Sequence, residues 1–351
     1  MMRVRSIGAV TTHGRGLDGL IQAVKGGECG EVNPCKAGPD STVPAFTVPD
    51  EALRSSKIPK SMRRADRLSR MAVLAAMEAR DKNGLDEVDP ERIGVILATG
   101  LGPHQRTFRF LDGLLEFGDD AGSPTDFSHS VHNAPAAYVS SVLQVRGPVH
   151  TVTDFDFGFQ HALRLAECWL ENDRSDVVLL GMAEELGEVM LHVCSRMLDM
   201  PAKGLMRPFA FAERPAIVPG EGSIFLALER LRPGRRGVQL GVEDRIEKDA
   251  DILIADAEGM SGPETDYRRL CDGHRAVANY VPVFGSMMTG TACQCAVAAR
   301  MLQEGQVYPN PVFEADNDIR TDLRGMAAPA TIRCAKRGKD GRWMDVWLRS
   351  V

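Results

Sequence analysis

The stretch GPVHTVTDFDFGFQHAL, residues 147–163, sets the organisation of the chain. Its apolar positions at 149–152 predict a short buried strand, and Gly158 permits a tight turn after that strand. Residues 159–170 then place apolar side chains at helical spacing. A strand that turns directly into a helix leaves unpaired N–H groups at the helix N-terminus, which favour a thiolate or an oxyanion. The stretch therefore predicts a candidate site at this turn.

The composition is that of an ordinary globular protein. Of 351 residues, 44% are hydrophobic and 26% are charged, and the formal net charge is −6. This balance gives no support to nucleic-acid binding. Eight scattered cysteines without a Cys-x-x-Cys pair predict reduced thiols in a cytoplasmic protein. We expect no signal peptide, no membrane span of about 20 apolar residues, and no metal or other cofactor.

Apolar runs bounded by turns alternate with helical patterns along the chain. The run at 93–100 predicts a strand covered on both faces, and residues 64–82 predict a buried helix. The alternation predicts an α/β fold whose sheet is covered by helices. A Pro-, Gly- and Arg-rich interval at 231–237 predicts two domains, 1–232 and 233–351.

The framework around these elements resembles that of the β-ketoacyl synthases, which have the thiolase-like fold. Residues 147–163 are similar to the synthase nucleophile turn, in which Gly-Pro, a strand, a cysteine, a glycine and a helix follow one another. Residues 207–209, 220–222 and 284–292 resemble later synthase motifs in the same order. The phrase at 130–136 resembles a divergent branch with chain-length-factor and aryl-polyene-cluster proteins. The resemblance implies a dimeric, five-layer α-β-α-β-α sandwich of two similar halves.

The catalytic Cys-His-His set of the synthases is not retained at the matching positions. The cysteine position falls on Asp156 by one form of the motif and on Phe155 by the other. Glu258 stands at the first histidine position and Ser286 at the second. A carboxylate is a poor substitute for a thiolate as acyl carrier, and an ionised Glu258 repels the malonyl carboxylate and the developing enolate. These substitutions argue against standard condensation.

The resemblance implies a role in fatty acid or polyketide biosynthesis, with an acyl thioester on acyl-carrier protein as the ligand. We expect a chain-length-factor-like subunit that lacks condensing activity. Such a subunit binds acyl-carrier protein and forms a heterodimer with an active ketosynthase, or a homodimer. Its loops at 28–60 and 103–128 would differ from those of a self-sufficient enzyme.

Two other functions stay open. The chain could be an enzyme in its own right that hydrolyses or otherwise transforms an acyl thioester. Asp156 and Glu258 would then act as a coupled acid pair, with His132 beside them. It could instead be a homodimeric acyl-binding protein without chemistry. Structural roles compete with these assignments: Asp154 and Asp156 as helix caps, His132 as a core or surface histidine, and Cys194 as a buried thiol rather than a displaced nucleophile.

Overall fold

The computed structural model describes residues 1–351 with several gaps. The gaps are single positions at 28, 56, 57, 61, 63, 64, 83, 119, 121 and 199, and the segments 201–205, 211–216, 245–249, 257–263, 312–314 and 316–318.

The described ranges contain thirteen strands and ten α-helices. The strands are β1 Met2–Thr11, β2 Gly14–Arg15, β3 Asn33–Lys36, β4 Thr42–Ala45, β5 Ile93–Thr99, β6 Val149–Thr153, β7 Val177–Glu184, β8 Gly222–Arg230, β9 Val238–Glu243, β10 Ile252–Ala255, β11 Val277–Ala278, β12 Thr331–Arg337 and β13 Trp343–Ser350. The helices are α1 Leu17–Gly26, α2 Arg67–Asp81, α3 His104–Phe117, α4 Pro124–Ser130, α5 Ala134–Leu143, α6 Gly158–Glu171, α7 Glu188–Met197, α8 Glu264–Cys271, α9 Val281–Phe284 and α10 Thr291–Glu304.

The main sheet consists of two strand sets with the same internal order. The first set runs β6-β5-β7-β8-β1 and the second runs β11-β10-β12-β13-β9. In both sets the first three strands are parallel and the last two join antiparallel. The sets meet where β1 pairs with β9, with Met2 opposite Leu240. The chain therefore has the two similar halves that the sequence predicts, while the domain boundary at residue 232 stays a prediction.

Helices divide the two halves into layers. Along β5, Val95 and Leu97 belong to the core formed with α2 and α5, whereas Ile96 and Ala98 face the core that contains α6 and α10. This alternation is that of a strand buried on both faces. Helices α6 and α10 contact strands of both sets and form the central layer, and α8 packs on β10 at the far side. The layer order is the predicted α-β-α-β-α.

The Gly-Glu-Gly turn before β8 joins three segments of the first half. The buried Glu221 accepts two hydrogen bonds from Arg67, with its Oε1 2.6 Å from Nη2 and 3.0 Å from Nε. The same carboxylate accepts the backbone N–H groups of Val48 at 2.8 Å and Leu186 at 3.1 Å. Arg67 is the first residue of α2, so one carboxylate ties this helix to β8 and to the segment after β7. Glu221 therefore has a structural role.

Helix α6 has the predicted position, while two local predictions are wrong. It begins at Gly158 and buries the six predicted apolar side chains: Phe159, Ala162, Leu163, Ala166, Trp169 and Leu170. The strand before it is not buried, because β6 forms the edge of the sheet and leaves Val149 42% exposed. The segment at 103–128 is not simply a loop, because it contains α3 and α4.

Candidate functional site at the turn before helix α6

Asp154 holds the turn between β6 and α6. Its Oδ1 accepts the backbone N–H of Asp156 at 2.7 Å and that of Phe157 at 3.0 Å. Its Oδ2 lies 3.1 Å from Nδ1 of His161. Phe157 is the N-cap residue of α6 and the helix has no side-chain cap hydrogen bond, so Asp154 orders the turn before the helix and the predicted capping of α6 by Asp154 and Asp156 is wrong. The chain itself therefore places a carboxylate within the turn that precedes this helix.

Phe155 and Asp156, the two candidates for the cysteine position, lie in different surroundings. The Phe155 side chain is 52% exposed. Oδ2 of Asp156 accepts the backbone N–H of Lys339 at 3.0 Å, which joins the turn to the loop between β12 and β13. Oδ1 of Asp156 is buried and has no hydrogen-bond partner in the described part of the chain. Neither side chain is a thiol, and Asp156 is engaged with the neighbouring loop rather than with its own helix.

The other predicted site residues lie in different environments. Ser286 is buried, and its N–H and C=O groups are each hydrogen-bonded at 2.8 Å to the main chain of residues 218–220. Glu258 falls in one of the gaps and lies outside the described residues. His132 is exposed, and its ring packs against Gly102 at the turn after β5. The structure therefore assigns Ser286 a backbone contact and places His132 beside the end of a neighbouring strand.

Cys194 does not have the environment of an activated thiol. It lies on α7, is partly buried, and is not in a disulfide. Burial raises the pKa of this thiol above its usual value. A raised pKa lowers the thiolate fraction, and the thiolate is the nucleophilic form. This environment fits the structural alternative for Cys194.

Sequence reasoning missed a buried polar cluster directly behind the turn. Gly158 packs against the methyl group of Thr289, since a Cβ atom at Gly158 would lie 3.4 Å from that carbon. The Thr289 hydroxyl donates to Oε1 of Glu184 at 2.9 Å, and the N–H of Gly100 donates to the same oxygen at 2.8 Å. Desolvation by burial raises the pKa of Glu184 to about 7, although these hydrogen bonds favour the carboxylate. Glu184 therefore titrates near neutral pH.

Lys336 brings a positive charge into the same region. Its Nζ donates to the carbonyl of Met288 at 2.7 Å and lies 3.9 Å from Oδ2 of Asp256. Both charged side chains are fully buried. Thr291, the first residue of α10, donates its hydroxyl to the same Asp256 oxygen at 2.6 Å. One lysine and two carboxylates thus surround the point where α6 and α10 begin.

The sequence contains a signal for this cluster. Glu184 ends the buried strand β7, Asp256 directly follows β10, and Lys336 lies within the mostly buried strand β12. A charged residue that interrupts an apolar run must find a partner when the strand is buried. Three such interruptions predict a buried charged cluster, although they do not predict which residues meet.

The described residues contain neither a metal-binding cluster nor a helix suited to crossing a bilayer. Within these ranges, no group of three or more His, Cys, Asp and Glu side chains is arranged to hold a metal ion. None of the helices in the same ranges combines the length and the apolar character that a membrane span needs.

Comparison with known proteins finds a family match in the N-terminal part of the chain. Residues 41–206 match the family described as "Beta-ketoacyl synthase, N-terminal domain". Nodulation protein E of Rhizobium meliloti (strain 1021) is 31% identical over 234 residues, which cover 64% of this chain and 57% of that protein. Nodulation protein E of Rhizobium leguminosarum bv. trifolii is 32% identical over 191 residues, which cover 51% of this chain and 45% of that protein. The chain spans about half the length of the curated relatives it matches.

Solved structures match over the entire chain. The ishigamide ketosynthase/chain length factor has a TM-score of 0.79 and 18% identity, with 100% of this chain and 99% of that chain covered. A ketosynthase in complex with its chain length factor from Xenorhabdus doucetiae has a TM-score of 0.77 and 16% identity, covering 100% and 98%. A type II polyketide ketosynthase in complex with its acyl-carrier protein has a TM-score of 0.79 and 15% identity, covering 100% and 99%. The predicted thiolase-like fold is confirmed.

Proposed function

Because the chain is a divergent member of the β-ketoacyl synthase family, we propose that it is a chain-length-factor-like subunit without condensing activity. In this role it pairs with an active ketosynthase and binds acyl chains carried on acyl-carrier protein. The cytoplasmic location expected from the cysteines belongs to the same proposal.

The observation that carries the proposal is the chemistry of the turn before α6. Condensation needs a thiolate that accepts the acyl group and N–H donors that stabilise an oxyanion. Residues 155 and 156 provide a phenyl ring and a carboxylate. The backbone N–H groups of Asp156 and Phe157 are bonded to Asp154. The turn therefore offers no thiolate, and two of its N–H groups are already engaged, which supports the proposal.

An exposed apolar surface supports pairing with a second chain. The edge strand β6 has main-chain groups on its outer side, and an open edge of this kind is a natural site for association. Large apolar side chains on the same edge, on α3 and α4, and directly after α4 are at least 42% exposed: Leu111, Leu115, Phe117, Phe127, Val131 and Val149. Apolar surface in such quantity is typical of a protein–protein interface.

The pairing is tested by co-expression with a ketosynthase from a neighbouring gene that retains the Cys-His-His set. We expect the two proteins to co-purify in a one-to-one complex. Val149→Lys and Phe127→Lys should weaken the complex at least tenfold, because each places a charge in the buried interface. Met197→Lys is the control, since Met197 is exposed on α7. A complex that all three variants leave unchanged would contradict this surface as the interface.

The lack of condensation is tested by intact-protein mass spectrometry with acyl-carrier protein charged with a short or a long acyl chain. We expect no acyl adduct on the isolated chain, and we expect the carrier protein to keep its acyl group. A stable mass increase of one acyl group would show that another nucleophile acts and would overturn the proposal. A co-purified acyl chain without any synthase partner would instead indicate a homodimeric acyl-binding protein.

One observation favours a second candidate function, an enzyme that acts alone on an acyl thioester. Oδ1 of Asp156 is buried without a hydrogen-bond partner among the described residues, and such a carboxylate oxygen is a candidate acid or base. Glu258 would be its coupled partner in this proposal. The enzyme would be supported if the chain released the acyl group from acyl-carrier protein and Asp156→Asn abolished this release. The variant must keep an unchanged circular dichroism spectrum. Discharge that persists in this variant would contradict it.

A further inference from the structure

A cleft lies at the amino ends of three parallel strands of the second strand set, β10, β11 and β12. Its volume is about 730 Å³, within the range of small-molecule sites. Its lining includes Asp251 directly before β10, Arg275 two residues before β11, and Thr331, the first residue of β12. Asp256, a member of the cluster behind the turn before α6, follows the other end of β10. At about 3.3 Å per residue, Asp251 and Asp256 are roughly 16 Å apart, so the cleft is separate from that cluster.

Asp251 is held in place by the main chain at the start of β12. Its Oδ2 accepts the backbone N–H groups of Ala330 and Thr331, both at 2.8 Å, and the Thr331 hydroxyl at 3.1 Å. Within the described residues, its other oxygen, Oδ1, accepts no hydrogen bond. Both oxygens of an ionised carboxylate are acceptors. One oxygen of a fixed carboxylate is therefore available to a donor on a bound molecule.

The turn between α8 and β11 carries two opposite charges that do not pair with each other. Asp272 and Arg275 are both exposed, and both line the cleft. In the described part of the chain, neither side chain makes an ion pair or a hydrogen bond. By contrast, Asp322 and Arg324, which are two residues apart in another loop, form an ion pair at 2.7 Å. The acid and the base of the α8–β11 turn are therefore both available to a ligand.

The backbone of this turn keeps the two charges apart. Gly273 has a φ of +78°, a conformation that other residues rarely adopt. The N–H groups of residues 272 and 274 donate to carbonyls of the last turn of α8, at 3.0 and 3.2 Å. The His274 side chain is buried and anchors the turn between Asp272 and Arg275. An acid and a base held apart in one cleft match a molecule that carries both charges itself.

The rest of the lining selects among such molecules. Residues 326–328, a methionine and two alanines, form an apolar wall. Quaternary ammonium groups are held by aromatic cages, and none of the described residues that line the cleft is aromatic. A primary ammonium group instead donates hydrogen bonds, which Asp272 and Oδ1 of Asp251 can accept. A carboxylate matches the paired N–H donors of Arg275.

We propose that this cleft binds a free amino acid with an apolar side chain, at a second site distinct from the turn before α6. Asp272 and Asp251 hold the ammonium group, and Arg275 holds the carboxylate. The side chain of the amino acid lies on residues 326–328. The assignment does not depend on whether the chain pairs with a ketosynthase or condenses acyl groups.

The test is isothermal titration calorimetry of the full chain at pH 7 with leucine, glycine, N-acetylleucine and leucinamide. We expect one site for leucine. N-acetylleucine lacks the ammonium group and leucinamide lacks the carboxylate, so each should bind about tenfold or more weakly. Glycine should also bind about tenfold or more weakly, because it presents no apolar side chain to residues 326–328. Leucine binding that does not saturate, or an affinity for any other probe equal to that for leucine, would overturn the proposal.

Variants at the two exposed charges locate the binding. Asp272→Asn and Arg275→Gln should both fold normally, with an unchanged midpoint of thermal unfolding, because neither side chain has a partner among the described residues. Arg275→Gln should weaken leucine binding about tenfold or more and leave the affinity for leucinamide unchanged. Asp272→Asn should weaken the binding of leucine and leucinamide and leave that of N-acetylleucine unchanged. Arg235→Gln is the matched control, at an exposed arginine between β8 and β9. Unchanged leucine affinity in both cleft variants would place the ligand elsewhere and refute the assignment.

Discussion

Replacing the buried Lys336 with methionine should lower the free energy of unfolding by about 3–5 kcal/mol, the usual cost of removing one partner of a buried ion pair. Methionine occupies nearly the volume of the lysine stem, so the change removes charge with little loss of packing. The variant loses the hydrogen bond to the Met288 carbonyl and leaves Asp256 without its cation at 3.9 Å. Among the described residues, Oδ1 of Asp256 has no hydrogen-bond partner, so Thr291 would supply the main remaining stabilisation. Because Asp256 would keep few stabilising partners, we expect the loss in unfolding free energy to fall in the upper part of the range.

Urea unfolding followed by circular dichroism at pH 7 measures this cost. The double variant Lys336→Met/Asp256→Asn should recover at least half of the loss, because it removes the uncompensated buried charge. Lys82→Met is the control: Lys82 pairs with Glu78 at the surface, and its side chain is 39% exposed. An exposed pair of this kind contributes about 1 kcal/mol or less. The reasoning is refuted if Lys336→Met costs less than 1 kcal/mol, or if the double variant is no more stable than the single one.

Three further predictions concern stability. The pKa of Glu184, raised to about 7 from 4.5, means that stability is lost as pH rises from 4.5 through 7, by about 3 kcal/mol; Glu184→Gln should flatten this pH dependence in urea unfolding, and an unchanged slope would contradict it. Gly8→Ala should cost 3 kcal/mol or more in thermal unfolding, because its Cβ would lie 2.0 Å from the Ala75 carbonyl oxygen, whereas Gly26→Ala, with open space around it, should change little. Asp154→Ala should cost about 1 kcal/mol, because the N–H groups of Asp156 and Phe157 lose their acceptor, whereas Asp154→Asn keeps an acceptor oxygen and should retain most of this stability; equal losses in both variants would argue against this role of the hydrogen bonds.

Elements that depend on local periodicity could be predicted from the sequence. Helix α6 begins at the predicted glycine, because a 3.6-residue apolar repeat and a preceding turn are both visible within 20 residues. The alternation of strand and helix patterns predicted an α/β fold with a sheet covered by helices, whereas the five-layer order was implied by the family resemblance. The exposure of Val149 could not be predicted in this way. An apolar strand at the centre of a sheet and one at its edge look alike in sequence, and only the strand order distinguishes them.

The candidate site was predictable only in part, because its partners lie far apart in the chain. Thr289 and Glu184 are 105 positions apart, and Lys336 and Met288 are 48 positions apart. The sequence shows each charged residue at or near the end of an apolar run, but their meeting depends on how β7, β10 and β12 are placed around the start of α10. Oδ2 of Asp156 is a similar case, since it bonds to the main chain of Lys339 in a turn of the second half.

The substitutions at the turn form a connected set rather than a single lost cysteine. Asp154 bonds to the N–H groups of residues 156 and 157, and Asp156 bonds to the loop between β12 and β13. A thiol placed at residue 155 would therefore sit between two carboxylates, and adjacent negative charge raises a thiol pKa and suppresses the thiolate. The N–H donors beside it would already be engaged. On the proposed function, a cysteine restored at one position is not sufficient to restore a nucleophile, because the carboxylates of Asp154 and Asp156 remain on either side of it in the turn.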